Sequence, residues 1–371
     1  MTRARWLGVL LGIVSPLAAA AQAPGTTARS GVFFESYSFG AGLAFRRISE
    51  LTIPITVTQR FGNRVVLDVG TAYASASVRE ANGNTIDHSG LVDTDIRATV
   101  GVIPGRVVFN LVGTIPTGAT TVPDTTIPLF GATATDLLGF TTPGFGSGGG
   151  VSAGFASAFK MGSDWAVGTG ASYRFGASYT PVKGGSTLTP GGEIRARVGI
   201  EGPFGGGKYF RGAFIYTTSG ANEIGGGQQS TIGDRVLMYA SMSLPFGRSN
   251  LALYGWEMRR MQARNAGTAG TVAVPRGNVL ALGARLDRPL TPRATLSPML
   301  EFRHELFGGG AAGKMELLGY LLRTGTDLRY RMSDRATVVM QAQLAFGQLQ
   351  DEGTSVSLVG PRLGLLIEWT R

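Results

Sequence analysis

The chain has 371 residues, of which 57 are glycine and 16% are charged, with a formal net charge of +10 and no cysteine. The absence of cysteine excludes a disulfide framework and a thiolate metal site. The basic residues are dispersed over the sequence and form no stripe or basic helix, which argues against nucleic-acid binding. After the N-terminal segment there is no run of ~18 apolar residues, so a membrane protein built from helices is excluded.

The first 23 residues have the features of an export signal. Two arginines precede an apolar run from Trp6 to Val14, and Ala21-Gln22-Ala23 matches a small-x-small cleavage site. The run is shorter than the ~20 residues that a spanning helix needs. We therefore expect residues 1–23 to be a signal peptide and residues 24–371 to form one domain.

From residue 33 onward the sequence divides into sixteen segments in which apolar and polar residues alternate. Alternation with a period of two is typical of β-strands, because successive side chains point to opposite faces. The predicted strands are 33–47, 49–61, 64–79, 90–103, 106–116, 148–161, 164–179, 191–203, 207–217, 233–246, 250–263, 277–289, 293–306, 315–331, 335–348 and 355–370.

The connections between these segments alternate in length. Short turns such as FGNR at Phe61 and MSDR at Met332 alternate with long loops such as TTSGANEIGGGQQSTIG from Thr217. This pattern predicts an all-β chain folded as a transmembrane antiparallel barrel of the bacterial outer membrane, with both chain ends on the periplasmic side. The first connection, RISE, is too short for an external loop, so fourteen strands is the alternative to sixteen.

The two faces of a strand indicate their surroundings. In the segment from Ala336 to Gln350, an apolar face that includes Met340 and Phe346 alternates with a face that carries Gln341 and Gln343. A soluble sandwich fits this pattern locally, but aromatic residues near both ends of the strands favour two interfacial girdles. These residues are Phe61, Trp165, Phe204, Phe246 and Trp369 at one end, and Tyr73, Tyr179, Tyr216 and Phe307 at the other.

Two prolines, Pro298 and Pro361, fall inside predicted strands. A proline removes one donor from the hydrogen-bond ladder, and a closed barrel has no edge strand to accommodate it. We therefore expect a local β-bulge at each of them.

Sixteen strands enclose more space than side chains fill, so the interior is a candidate pathway. Inward charges either form cross-strand pairs that stiffen the wall or create a field that orients polar solutes, and an excess of arginine favours anions. The predicted lining residues are Asp93, Asp95, Arg97, Glu193, Arg195, Arg197, Glu257, Arg259, Arg285, Glu301, Arg303, Glu305, Arg323, Asp327 and Arg329.

The longest connection spans residues 117–147 and is rich in apolar residues. Connections beyond ~15 residues are usually functional or disordered. We expect this one to fold back into the barrel mouth and constrict it, with a short helix from Thr135 to Phe140. An external cap on the neighbouring loops is the alternative. The candidate constriction residues are Ile127, Leu129, Phe130, Leu137, Leu138 and Phe140.

Catalytic signals are weak, and we expect neither enzyme activity nor a metal or other cofactor. The sequence has two histidines. We expect His88 to be solvated in a loop, and His304 shares a face with apolar residues and lacks a local acidic residue to orient it. Asp93 and Asp95 lie on one face, but Arg97 beside them favours an ion pair.

Four stretches, DTDIRATVGV, LVGTIPTGATT, GFGSGGGVSAGFASAF and WAVGTGASYRFG, carry a family resemblance between Gly90 and Pro181. They resemble outer-membrane transporters of the MetA pathway of phenol degradation, relatives of the long-chain fatty-acid transporter group. The resemblance implies uptake of aromatic or other hydrophobic small molecules.

The sequence thus favours a passive outer-membrane channel for small solutes, aromatic or hydrophobic ones included. A general diffusion porin with mild anion preference and a structural or adhesive barrel are the alternatives. The strand RLGLLIEWTR resembles the terminal signal read by the barrel assembly machinery, although Thr370 and Arg371 follow its aromatic residue. Expected partners are outer-membrane lipid, lipopolysaccharide, that machinery, a small solute and further copies of the chain.

Overall fold

The computed structural model describes residues 25–231, 233–267, 270–274, 276–308, 315–351 and 353–371. The expected signal peptide, residues 1–23, lies outside these ranges. Within them the chain forms 22 strands, a 3-10 turn (Asp124–Thr126) and one short helix, α1 (Ile127–Thr133). The strands are β1 (Thr26–Phe39), β2 (Phe45–Phe61), β3 (Val65–Glu80), β4 (Thr85–Leu91), β5 (Thr94–Ile103), β6 (Val107–Ile115), β7 (Gly150–Met161), β8 (Trp165–Gly176), β9 (Leu188–Thr189), β10 (Glu193–Pro203), β11 (Tyr209–Ser219), β12 (Asn222–Ile224), β13 (Gln228–Ser230), β14 (Arg235–Phe246), β15 (Ser249–Arg260), β16 (Ala263–Gly267), β17 (Gly270–Val274), β18 (Gly277–Thr291), β19 (Ala294–Gly308), β20 (Met315–Arg331), β21 (Ala336–Asp351) and β22 (Thr354–Thr370).

The wall is a closed antiparallel barrel. Each wall strand pairs with the next along the chain, and β1 pairs with β22 to close the cylinder. β4 and β5 pair with the upper and lower parts of β3, so together they act as one wall strand that is interrupted at Val92 and Asp93. In the part of the chain that the structure describes, this gives sixteen wall strands, and the prediction of sixteen is confirmed.

The first strand begins earlier than predicted. β1 is Thr26–Phe39 and not 33–47, and residues 40–44 connect it to β2. The residues RISE belong to β2, where Ile48 and Glu50 point into the barrel and are each 1% exposed. Because this stretch carries charge on its buried face, it resembles a turn in the sequence. This explains why the boundary between the first two strands was predicted wrongly.

The alternation of short turns and long loops is present in the structure and defines two ends of the barrel. At the turn end, three-residue connections such as 62–64 and 162–164 join the strands, and Gly62 and Gly162 adopt left-handed φ values of 61° and 69° that suit glycine. The strand ends Thr27 and Thr370 pair at this same end. The long connections lie at the opposite end, the loop end.

The two faces of the wall are oriented as the alternation predicted. Phe346 and Leu344 are 42% and 46% exposed on the outside, whereas Gln343 is 7% exposed on the inside. Aromatic residues are exposed on the outer face near both ends, with Phe61 and Phe246 at the turn end and Phe175 at the loop end. Among the described residues, no helix has the length and apolar character needed to cross a bilayer.

The bulges expected at Pro298 and Pro361 are not present. The register of β19 with β20 and of β21 with β22 continues unbroken through the two prolines. In the pairings with the other neighbouring strands, β22 with β1 and β19 with β18, the proline and one adjacent residue have no pairing partner, and the register is the same on both sides of this gap. The missing donor is therefore accommodated by a gap in the pairing and not by an inserted residue.

The wall is taller on one side than on the other. The strands β1–β3 and β18–β22 have 14 to 17 residues. The strands β5–β8, β10, β11, β14 and β15 have 9 to 12. A second sheet of β9, β12, β13, β16 and β17 is built from the loops of the short side.

Candidate functional site

The connection between β6 and β7 lies inside the barrel. We call residues 117–147 the inner segment. Its side chains Leu129, Leu137, Leu138, Phe140 and Phe145 are at most 5% exposed. They form one cluster with inward-facing residues of the tall wall, namely Tyr37, Ile48, Ala74, Ala76, Val78, Leu321 and Ala345. The inner segment thus fills the lumen along the tall side.

The helix within the inner segment is not where it was expected. The residues from Thr135 to Phe140 were predicted to be helical, but α1 spans Ile127–Thr133 and has a proline in its first turn. A proline is favourable there because that position needs no backbone donor. Of the candidate constriction residues, Ile127 and Phe130 are only partly buried, while the other four are buried.

Two buried arginines hold the middle of the inner segment. The Nη2 atom of Arg323 donates to the carbonyl oxygen of Leu138 at 3.0 Å and to the hydroxyl of Tyr37 at 2.9 Å, and that hydroxyl donates to the same carbonyl at 3.1 Å. The Nη1 atom of Arg303 donates to the carbonyl oxygens of Asp136 and Leu137 at 3.4 Å. Both side chains are below 9% exposed.

Glu301 supplies the counter-charge for this cluster. Its Oε1 lies 2.8 Å from Nε of Arg303 and 3.6 Å from Nη1 of Arg323, and its Oε2 accepts from the hydroxyl of Tyr254 at 2.9 Å. Arg303 also lies over the ring of Trp256 at 5.7 Å. Because buried charges are tolerated only when they are paired and hydrogen-bonded, moving the segment away would leave Arg303 and Arg323 with fewer partners.

A second contact is made by two carboxylates of the tall wall. Glu35 and Glu50 are cross-strand partners in β1 and β2, and each is 1% exposed. The Thr141 hydroxyl donates to Glu35 at 2.5 Å, and the Thr142 amide donates to Glu50 at 2.7 Å. Arg362 pairs with Glu35 at 3.2 Å. Neither carboxylate was among the predicted lining residues. Glu35 shares its inward face with Phe33 and Tyr37, so polarity alternation does not indicate its direction, and Glu50 lies in RISE, which was predicted to be a connection.

Asp93, predicted to line the channel, is buried against the inner segment. It is 5% exposed at the break between β4 and β5. It accepts from the amide of Gly118 at 3.1 Å and from the amide and hydroxyl of Ser147, both at 2.9 Å. Asp93 therefore ties the two ends of the inner segment together. The alternation that placed it inward is interrupted at this position.

Glu257 and Arg259 were also predicted to line the channel, and both lie on the outer face. They alternate with Trp256 and Arg260, which point inward: Arg303 lies over the Trp256 ring, and Arg260 lies 3.6 Å from Glu305. Arg259 pairs with Glu257 at 2.7 Å and is 56% exposed. The strand LALYGWEMRR has aromatic residues on the face opposite its acid, so its polarity pattern misled the assignment.

The other residues that were predicted to line the channel lie on the inward face of the wall, and four of them, Glu301, Arg303, Glu305 and Arg323, are buried. Near the turn end, Arg285 pairs with Asp287 at 2.8 Å and with Asp327 at 3.8 Å. Gln341 donates to Asp327 at 3.1 Å. The remaining inward residues of the prediction are Asp95, Arg97, Glu193, Arg195, Arg197, Glu301, Arg303, Glu305, Arg323 and Arg329.

The short side of the wall offers the lumen an arginine-rich surface. Glu193 lies 3.0 Å from Arg235 and 3.9 Å from Arg195, and the positive charges of Arg174 and Arg197 also act on Arg195. The side chains of Arg195 and Arg235 are 19% and 18% exposed, and Asp95 is exposed. Solvent therefore reaches this side, whereas Glu301, Arg303 and Arg323 on the tall side are at most 8% exposed.

His88 is half-buried and not solvated as expected. It lies on β4 and pairs with Ala76 of β3. This position is three residues closer to the loop end than the pair of Tyr73 and Leu91, and Tyr73 belongs to the aromatic girdle predicted at that end. Its ring packs edge-on against Phe145 at 4.7 Å and Phe130 at 5.5 Å. Burial lowers the pKa of His88 from 6.5, and the charge of Asp87 opposes this shift more weakly.

The second histidine, His304, stacks on Phe302 of the outer face at 6.3 Å. Within the described ranges, no group of three or more His, Cys, Asp or Glu side chains is placed to hold a metal ion. The arginines and carboxylates of the lumen are suited to the binding and orientation of charge.

No family model matches the chain, and no curated protein matches it. Solved outer-membrane barrels do resemble it. A bacterial polysaccharide outer membrane secretin has 8% identity and a TM-score of 0.46, with 91% of this chain and 97% of that chain covered. The CymD monoaromatic hydrocarbon channel has 12% identity and a TM-score of 0.47, with 100% and 95% covered. OccK7 of Pseudomonas aeruginosa has 11% identity and a TM-score of 0.43, with 94% and 99% covered.

At these identities the likeness concerns the fold alone. The closed sixteen-strand wall, apolar outside and charged inside, is the fold of bacterial outer-membrane barrels. Channels are among the similar structures.

Proposed function

We propose that this chain forms a passive channel in the bacterial outer membrane through which small polar solutes diffuse, with a preference for anions. The observation that carries the proposal is the asymmetry of the lumen. The inner segment fills the tall side, whereas the short side presents solvent-accessible arginines above small inward residues. A pore lined by arginines attracts anions and repels cations.

The orientation follows from the two ends of the barrel. In outer-membrane barrels short turns face the periplasm and long loops face outward. The turn end, with residues 62–64 and the paired ends of β1 and β22, is therefore the proposed periplasmic end. Export by the signal peptide in residues 1–23 and insertion by the barrel assembly machinery are part of this proposal.

The nature of the solute is the finer part of the proposal. The resemblance of residues 90–181 to transporters of the MetA pathway of phenol degradation implies aromatic compounds. The charged lining favours those aromatic compounds that carry a carboxylate over neutral hydrocarbons, because a carboxylate gains charge-assisted hydrogen bonds from inward guanidinium groups, whereas a neutral ring gains only the weaker cation–π contact.

Lipopolysaccharide is the proposed partner of the outer rim. Arg47 and Arg79 are cross-strand partners on the outer face near the loop end of β2 and β3. Two cations side by side repel each other unless an anion lies between them, and lipid phosphates are available at that height. Further copies of the chain are an additional proposed partner.

Liposome swelling tests the proposal directly. Proteoliposomes in isosmotic benzoate, acetate, glucose or lysine should swell faster with the two carboxylates than with the neutral sugar or the cation. Faster swelling with lysine than with acetate would contradict the anion preference. No swelling with any solute, from protein that shows the heat-shifted electrophoretic mobility of a folded barrel, would identify a structural or adhesive barrel instead.

A further inference from the structure

The inward positions in the middle of β7 and β8 carry small side chains. On β7 and β8 they are Ser152, Gly154, Ala156, Gly168, Gly170 and Ser172. We call these residues the floor. Longer side chains from the flanking strands β5 and β10 therefore have room to extend over it.

Arg97 of β5 and Arg197 of β10 lie on the inward face of the wall, on the two sides of the floor. Arg197 and Gly170 are cross-strand partners, and a Cβ atom at Gly170 would lie 2.8 Å from Nε of Arg197. The guanidinium of Arg197 therefore leans over β8. The positive charges of Arg97 and Arg197 are near enough to repel each other.

Neither of these two arginines has an acidic partner among the described residues. Asp68 is the cross-strand partner of Arg97, yet the Asp68 carboxylate accepts from the Thr58 hydroxyl at 2.6 Å and forms no ion pair with Arg97. Asp95, two residues away on the same face, accepts from the Thr114 hydroxyl at 2.7 Å. Carboxylates do pair with other inward arginines, namely Arg195, Arg211, Arg235, Arg260, Arg285, Arg303, Arg323 and Arg362.

We propose that Arg97 and Arg197 together form a binding site for the carboxylate of a small solute. An anion between them cancels their repulsion, and each guanidinium is able to offer two parallel N–H donors to carboxylate oxygens. Gly168, beside the position that Arg197 covers, leaves room for the body of the solute, because only the Ser157 carbonyl oxygen would lie within 4 Å of a Cβ atom there. The inference rests on the proposed channel function and adds to it a discrete, saturable site.

The test uses single-channel currents in planar bilayers with benzoate added on one side. The wild-type channel should show a benzoate-dependent reduction of chloride current that saturates, and benzamide, the neutral analogue, should have no such effect. Arg197→Gln should weaken the benzoate effect about tenfold or more, the loss expected for one charge-assisted pair. The matched control Arg329→Gln removes an inward charge near the turn end and should leave the benzoate effect unchanged.

Two further variants separate a site from a general field. Arg197→Lys keeps the charge but loses the planar fork, so it should weaken the benzoate effect as well. Gly168→Asp places a carboxylate on the floor two residues from Gly170, where the nearest atom to a new Cβ is 3.7 Å away, and should abolish the effect in a folded channel. If Arg197→Lys and Gly168→Asp both bind benzoate like the wild type, or benzamide acts as benzoate does, the site is refuted. A wild-type channel without ionic current, or one selective for cations, refutes the proposed function itself.

Discussion

Buried charged side chains of the wall hold the inner segment in its position in the lumen. Arg303 and Arg323 each bond to a backbone carbonyl of the inner segment and to Glu301. Removing one partner of such a buried pair typically costs ~3–5 kcal/mol, because the other charge is left unpaired. The sequence predicted that these arginines point inward, since alternation determines the face. It did not predict the carbonyl groups to which they bond, because these belong to a segment more than 150 residues away in the chain.

His88 provides a test of inner-segment packing at the scale of one residue. Because its pKa is lower in the folded state than the 6.5 of the exposed group, the unfolded chain binds more protons between these two values. Its contribution to stability is therefore complete above about pH 6.5 and decreases as the pH falls towards the folded-state pKa. Protonation opposes the packing of the His88 ring against Phe130 and Phe145.

We expect the free energy of unfolding in detergent micelles to fall more between pH 8 and pH 5 for the wild type than for His88→Leu. Urea titrations at both pH values measure this difference, and other titrating groups cancel between the two proteins. His304→Leu, on the outer face, is the control and should behave like the wild type. An equal decrease in wild type and His88→Leu would show that His88 does not contribute.

At the scale of elements, the inner segment is the feature that distinguishes this barrel. Its apolar composition predicted that it folds inward, because Leu137, Leu138 and Phe140 gain by leaving water. The position of its helix was wrong because proline at residue 128 starts α1 earlier than the apolar pattern indicated. The boundary of β1 was wrong for a related reason: Glu50 contacts the inner segment and not solvent, and the sequence does not reveal that contact.

Replacing residues 124–140 with a short Gly-Ser linker should increase single-channel conductance in planar bilayers. The replaced residues include α1 and the leucines that fill the tall side, so water takes their place in the lumen. The matched control shortens residues 223–229, which belong to the sheet built from loops. Conductance that is unchanged by the first replacement would mean that the inner segment does not narrow the path.

At the scale of the whole molecule, the barrel has two unlike halves. The tall side has long strands and buried contacts with the inner segment, and the short side has short strands, small inward residues and accessible arginines. Strand number and most strand positions follow from alternation and turn chemistry, which are local properties. The unequal halves do not follow from them, because they depend on which wall the inner segment packs against.

The most direct test of an aqueous path along the short side uses single cysteines, since the chain has none of its own. Ser172 faces the lumen on β8, and Leu111 is 52% exposed on the outer face of β6. A negatively charged, water-soluble thiosulfonate should modify Ser172→Cys in a planar bilayer and lower its current, and should leave Leu111→Cys unmodified. Modification of Leu111→Cys with no reaction at Ser172→Cys would contradict the account.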